Sequence, residues 1–151
     1  MKFRDYYLLE DEEIKLTSEG YYTQAGTIDA AKSKSSPKNY GITNYFILSN
    51  GSLDVDGDVI LKNMGLKKLP YSFHNVTGNF VCTNNELETL IGSPEYVGGN
   101  FYCSANKLMN LNGIPREVRG NFDCSDQDTP HKPFTEQEVL AECEVGGEIR
   151  V

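Results

Sequence analysis

The chain has 151 residues, enough for one domain with a sizeable core, and its hydrophobic content of 38% is modest. A formal net charge of −8 argues against a general nucleic-acid binder, which needs Lys and Arg to displace counterions from phosphates, and against an anionic membrane surface. The same charge suits solubility, a basic protein partner, or imitation of the charge of a nucleic acid.

Charges run through the N-terminus, at Lys2, Arg4, Asp5 and then Glu10 to Glu13. They leave no apolar stretch of the kind a secretory signal needs, and no window nears the ~18 apolar residues of a membrane span. The four cysteines are therefore expected as thiols in a reducing cytoplasm. Phe3, Tyr6, Tyr7 and Leu9 have helical spacing, and residues 1–43 read as an arm or small cap. Ala31 to Asn39 (AKSKSSPKN) is a polar loop or linker. Next, Asn44 to Val55 (NYFILSNGSLDV) places Asn50-Gly51 between two β-rich runs. That is a hairpin signal, and residues 44–54 are expected to cap a repeat array.

The array shows as self-similarity. VTGNFVCTNNELETLIGSPEY starts at Val76, VGGNFYCSANKLMNLNGIPRE at Val97 and VRGNFDCSDQD at Val118, a constant spacing of 21 residues. A weaker copy, VDGDVILKNMGLKKLPYSFHN, starts at Val55, so the array covers residues 55–129. Gly57, Gly78, Gly99 and Gly120 align, as do Val59, Phe80, Phe101 and Phe122. Leu61, Cys82, Cys103 and Cys124 form a third column. Leu66, Leu87 and Leu108 form a fourth, and Leu69, Leu90 and Leu111 a fifth.

Within a unit, Phe101 and Cys103 are two apart and share the inner face of a strand, while Tyr102 points outward. Asn106 suits a turn in which a side-chain amide bonds backbone groups, and Gly113 and Pro115 punctuate the return. One turn of such a coil has open edges and is stable only when stacked on others, so the array needs end caps. Met64 and Gln127 replace the Asn in the first and last units, and those ends are expected to lack the amide bonds.

The C-terminal cap is read over residues 130–151. Thr135 and Glu138 make a capping box, with Phe134 and Val139 as a hydrophobic staple, so FTEQEVLAEC (134–143) is expected to be a helix. Gly146-Gly147 ends it before a short strand, Glu148 to Val151. The expected fold class is a repeat solenoid, α+β or mostly β. It presents a parallel β-strand face between an N-terminal hairpin cap and a C-terminal helix-strand cap.

Apolar strand positions followed by Asn and then Leu, as in Cys82-Thr-Asn-Asn85-Glu-Leu87 and Cys103-Ser-Ala-Asn106-Lys-Leu108, match the leucine-rich-repeat pattern. Together with NGSLDVDGDVILKNMGLKKLP before them and FTEQEVLAECEVGGEIRV after them, they resemble the small leucine-rich-repeat proteins of tailed bacteriophages over residues 44–151. The resemblance implies a phage origin and the leucine-rich-repeat fold; with no secretory signal or membrane span read in the sequence, the expected location is the host cytoplasm. It implies no catalytic activity.

Candidate chemistry is sparse. The three stacked cysteines lack a fourth ligand and tetrahedral convergence, so they read as small apolar core groups rather than a metal site. Cys143 is expected to pack inward from the cap helix. Asp54, Asp56 and Asp58 lack the closing Glu of a calcium loop and are expected on one solvent face of a strand. His74 and His131 stand alone among turn residues. With no GxSxG, HExxH or phosphate-loop motif, neither an enzyme nor a cofactor is expected.

The strand face is the candidate site. Its outward residues are Asp58, Ile60 and Lys62, then Asn79, Val81 and Thr83, then Asn100, Tyr102 and Ser104, and last Asn121, Asp123 and Ser125. Asn79, Asn100 and Asn121 form a hydrogen-bonding stripe beside the apolar stripe of Ile60, Val81 and Tyr102. Such a surface has the composition of a protein-binding hot spot, or of an ordinary sheet face partly covered by the N-terminal arm. The expected function is non-catalytic binding of a host protein, with inhibition of a host defence as one role. The alternative is a self-associating structural or virion component.

Overall fold

A computed structural model describes residues 36–151 and, as backbone strands, residues 6–10 and 13–15. Residues 31–35 of the expected linker lie outside the described residues. The two N-terminal strands, β1 (Tyr6–Glu10) and β2 (Glu13–Lys15), pair antiparallel with each other. The helical spacing of Tyr6, Tyr7 and Leu9 therefore does not produce a helix. An available strand edge on β3 (Tyr45–Leu48) takes β1 instead, with Tyr7 opposite Ile47. Tertiary pairing overrides a short apolar pattern that either element could satisfy.

A 3-10 turn over Pro37–Tyr40 is capped by the Ser36 side chain and leads into the hairpin. β3 and β4 (Leu53–Val55) pair antiparallel, with Tyr45 opposite Val55. The connection holds three residues rather than two. Gly51 N–H donates to the Leu48 carbonyl, Leu48 N–H donates to the Ser52 carbonyl, and Gly51 lies at φ +83°. This is a type I turn followed by a left-handed bulge residue, the position where Gly meets no Cβ penalty.

From β4 the chain winds as a coil with two strands per turn. Val55, Val76, Val97 and Val118 end the strands β4, β6 (Phe73–Val76), β8 (Tyr96–Val97) and β10 (Glu117–Val118). The Phe column sits in β5 (Val59–Ile60), β7 (Phe80–Val81), β9 (Phe101–Tyr102) and β11 (Phe122–Asp123). The sequence predicts one strand face, whereas the coil has two. Among the described residues, a long, eight-stranded sheet runs β12-β10-β8-β6-β4-β3-β1-β2, and a short, five-stranded sheet runs β13-β11-β9-β7-β5. Gly57, Gly78, Gly99 and Gly120 occupy the corner between the long and the short sheet.

The two C-terminal strands, β12 (Glu144–Val145) and β13 (Ile149–Arg150), are added in parallel to β10 and β11. Val145, Gly147 and Ile149 thus repeat Val118, Gly120 and Phe122 at a spacing of 27 instead of 21. The cap is itself a further partial turn, and its longer return holds the helix α1 (Glu136–Leu140). The predicted capping box is present, with Glu138 N–H donating to Thr135 Oγ1 and Thr135 N–H donating to Glu138.

The core is one column of stacked side chains. Phe80, Phe101 and Phe122 are fully buried, with ring centroids 5.5 and 5.4 Å apart and near-parallel planes. Cys82, Cys103, Leu87, Leu90 and Leu108 fill the rest of each turn. Val139 and Cys143 close the last turn from α1 and the residues just after it.

Two side-chain ladders lock the turns together. In the first, Asn85 Nδ2 donates to the carbonyls of Leu61 and Cys82, and its Oδ1 accepts from the N–H of Met64 and Leu66. Asn106 repeats this one turn on, donating to Cys82 and Cys103 and accepting from Leu87 N–H. Gln127 does the same, donating to Cys103 and Cys124 and accepting from Leu108 N–H. The expectation that the Gln127 end lacks these bonds is corrected: a Gln amide offers the same donors and acceptor as Asn on a longer stem. Met64 has no amide, so the ladder stops there.

Candidate binding surface

The short sheet places the predicted outward residues side by side. In register, Ile60 lies next to Val81, Val81 next to Tyr102, and Tyr102 next to Asp123. Their partners along the strands, Val59, Phe80, Phe101 and Phe122, are all buried, as alternation requires. Ile60 is 40% exposed, while Val81, Tyr102 and Asp123 are half-buried between neighbouring strands. The column therefore changes from apolar at β5 to charged at the other end. There Asp123 lies 4.0 Å from Arg150 of β13, a residue that the sequence pattern assigns to the cap rather than to this face.

Beside this column lie Lys62, Thr83, Ser104 and Ser125. Lys62 is exposed and the other three are half-buried. The Ser125 hydroxyl donates to Asp123 at 2.7 Å, which fixes that carboxylate in place.

The Asn stripe is only partly available to a partner. Asp58 Oδ1 accepts from Asn79 N–H at 2.7 Å. Asn79 and Asn100 each accept from the N–H of the next Asn at 2.8 Å, and Asn121 accepts from Glu148 N–H at 2.9 Å. This is the second ladder. Its oxygens hold the coil together, so the hydrogen-bonding stripe makes these bonds to the next turn. Consecutive turns lie one strand spacing apart, so a carboxamide reaches the turn above before it reaches solvent. The ladder also explains the later members of the glycine column: a Cβ on Gly99 would meet Asn79 Oδ1 at 2.6 Å, and one on Gly120 would meet Asn100 Oδ1 at 2.3 Å, whereas Gly57 has open space there and is set by its φ of +126°.

The three aspartates do not share one solvent face. Asp54 is 7% exposed, in the long sheet. Asp56 accepts from Asn44 Nδ2 and Thr77 Oγ1, and Asp58 begins the second ladder. Asp54 lies 2.8 Å from His74 Nδ1, and the His74 ring packs edge-on to Tyr96 at 6.1 Å. His74 is thus a strand residue with a partner rather than an isolated turn residue. The period hides it: the register of β4 and β6 shifts between Leu53–Phe73 and Asp54–Asn75, and His74 is the extra residue at this bulge. A fixed 21-residue offset pairs Asp54 with Asn75 instead.

The cysteines are inert by position. All four are buried as free thiols. Burial pushes the Cys82 and Cys124 thiols up to about 12 and the Cys143 thiol up to about 11, and it raises Cys103 well above the usual range. A thiol held protonated is neither a nucleophile nor a metal ligand. Among the described residues, no group of three or more His, Cys, Asp and Glu side chains is placed to hold a metal ion. No helix among them is long and apolar enough to cross a membrane.

On the return side, an open groove of about 670 Å³ lies between the loop Met109–Ile114 and α1, and Phe134, Glu138 and Arg116 also line it. Met109 is 47% exposed at its edge. Comparison with protein-family models, with curated proteins and with solved structures finds no match to this chain.

Proposed function

We propose that this is a non-catalytic binding protein that holds a protein partner on the outer face of its short sheet. The observation that carries the reading is the in-register column Ile60–Val81–Tyr102, an outward-facing apolar and aromatic stripe on a rigid frame. Aromatic and apolar anchors flanked by polar groups concentrate binding energy, and a surface that is already rigid loses little entropy on association. Thr83, Ser104 and Lys62 supply the polar rim. The resemblance to small phage leucine-rich-repeat proteins supports a host protein as partner, with inhibition of a defence system as its purpose. The acidic charge of −8 favours a basic surface on that partner and disfavours nucleic acid and membrane.

The face is small, with only two residues per strand. An interface of ~800 Å² per side would extend past it onto a cap. The test is capture from host lysate by the tagged wild-type chain and by the double variant Val81→Asp, Tyr102→Ala. Loss of the captured protein with unchanged thermal unfolding supports the site. Equal capture by the variant removes the short-sheet face from consideration. A second reading, self-association, draws on a different part of the molecule: the strand edges of the last turn, which no strand among the described residues pairs.

A further inference from the structure

We propose that the last turn of the coil is a dimerisation surface, and that its occupant is the last turn of a second copy of this chain, related by a two-fold axis through Gly147. Among the described residues, the long sheet ends at β12 and the short sheet at β13, so both present an edge at the same end of the coil. Glu144 N–H donates down to Arg116 and Gly146 N–H down to Val118. Phe122 N–H and Cys124 N–H donate up to the Glu148 and Arg150 carbonyls. Peptide groups alternate along a strand, so the N–H and C=O of Val145 and of Ile149 point to the free edge. These two residues are also only half-buried, whereas their equivalents one turn below, Val118 and Phe122, are fully buried.

The sequence Glu144-Val-Gly-Gly147-Glu-Ile-Arg150 reads symmetrically about Gly147 in the features that matter. Pairing it antiparallel with its own copy sets Val145 opposite Ile149 and Glu144 opposite Arg150, twice over. Val145 and Ile149 then form hydrogen-bonded pairs that use the free N–H and C=O groups on both sides. Glu144 and Arg150 are both exposed and meet with opposite charge, and opposite charges directly across a pair stabilise it. The other end of the long sheet is already closed in this manner, by an antiparallel strand laid on the parallel array at β3–β4. The opposed patches are small, so a reversible dimer is expected rather than an obligate one.

The test uses light scattering after size exclusion on the whole chain, loaded from about 10 µM to about 1 mM, a range that brackets weak protein association. The wild type is expected to shift from monomer to dimer. Arg150→Glu places Glu opposite Glu at both positions, and Glu144→Arg places Arg opposite Arg; each variant alone is expected to dimerise at least about tenfold more weakly. An equimolar mixture of the two variants sets Glu opposite Arg at both positions between unlike chains and is expected to recover the dimer as a heterodimer. Both changes are at exposed positions, and the mixture controls for folding. A wild type that stays monomeric at the highest load overturns the proposal, and so does mass that grows without limit, which means head-to-tail stacking. A dimer that survives Arg150→Glu also overturns it, as does a mixture that fails to recover. Capture by the short-sheet face is read with a different variant, Val81→Asp with Tyr102→Ala, and Glu144→Arg tests the dimer without touching that face.

Discussion

Replacing Asn106 by Ala removes an amide whose four hydrogen bonds connect two turns of the coil. Nδ2 donates to Cys82, Cys103 and Ser104 at 2.9, 3.1 and 3.3 Å, and Oδ1 accepts from Leu87 N–H at 3.0 Å. The side chain is 1% exposed, so water does not replace it. The losses are unequal. The Cys82 carbonyl keeps a donor in Asn85, and the Cys103 carbonyl keeps one in Gln127. Leu87 N–H alone is orphaned, at about 1–3 kcal/mol, and the weakened carbonyl bonds add roughly 1 kcal/mol. The expected destabilisation of Asn106→Ala is therefore about 3 kcal/mol, read as a lower urea midpoint at unchanged slope. Asn106→Asp separates this account from simple loss of volume. The carboxylate still accepts from Leu87 N–H, but it turns a buried charge toward three carbonyl oxygens. Asp is expected to be worse than Ala, since a buried charge without a partner costs about 3–5 kcal/mol. If Asp proved milder than Ala at neutral pH, the assignment of the amide as a donor to the turn carbonyls would be wrong.

Further outcomes follow from the turns, the ladders, the helix cap and the buried thiols. Ala105 lies at φ +52° in a column otherwise held by Asn63, Asn84 and Asp126, so Ala105→Gly is expected to stabilise by about 0.5–1 kcal/mol in urea unfolding. Gly99→Ala forces a Cβ against Asn79 Oδ1 and the Gly78 carbonyl and is expected to destabilise by about 1–3 kcal/mol in the same assay. Thr135→Ala removes the cap of α1 and is expected to cost about 1 kcal/mol, with faster amide exchange confined to the last turn. The raised thiols predict an alkaline limb. Their stabilisation is fully present below the ordinary thiol value near 9, and it declines as pH rises toward about 12. The slope is about 1.4 kcal/mol per pH unit for each such thiol. Correspondingly, a thiol reagent at pH 8 is expected to leave the folded chain unlabelled and to label four cysteines in denaturant. Rapid labelling of the folded chain would contradict the buried column.

The repeat is legible in the sequence because the coil constrains each position in the same way at every turn. The Phe, Cys and Leu columns face one core, and a fixed period exposes them directly. Features that break the period are harder to see. The last turn recurs after 27 residues because its return holds α1, so Val145 and Ile149 read as a cap rather than as repeat positions. The β-bulge at His74 shifts one strand by a residue and hides the contact with Asp54. Gln127 breaks its column by residue type, although its amide carries the same chemistry as Asn. The Asn stripe is legible on the outer side of the strands, but its backbone role depends on the distance between turns, which the sequence of one turn does not contain. The N-terminal strands are hidden for a related reason: β1 is a strand because β3 offers it an edge.

The glycine column has a consequence for how such a chain can change. At Gly78, Gly99, Gly120 and Gly147 the corner leaves the space that the Asx oxygen from the turn below fills, so the two positions are coupled across neighbouring turns. The top of one turn therefore matches the bottom of any other. Copying residues 97–117 whole would insert an interchangeable floor, lengthening the molecule by roughly 4.8 Å without exposing new core. A substitution at the corner damages two floors at once, while the return side already tolerates the extra residues that carry α1. Height and recognition surface can thus vary through the number of floors, whereas the corner composition cannot.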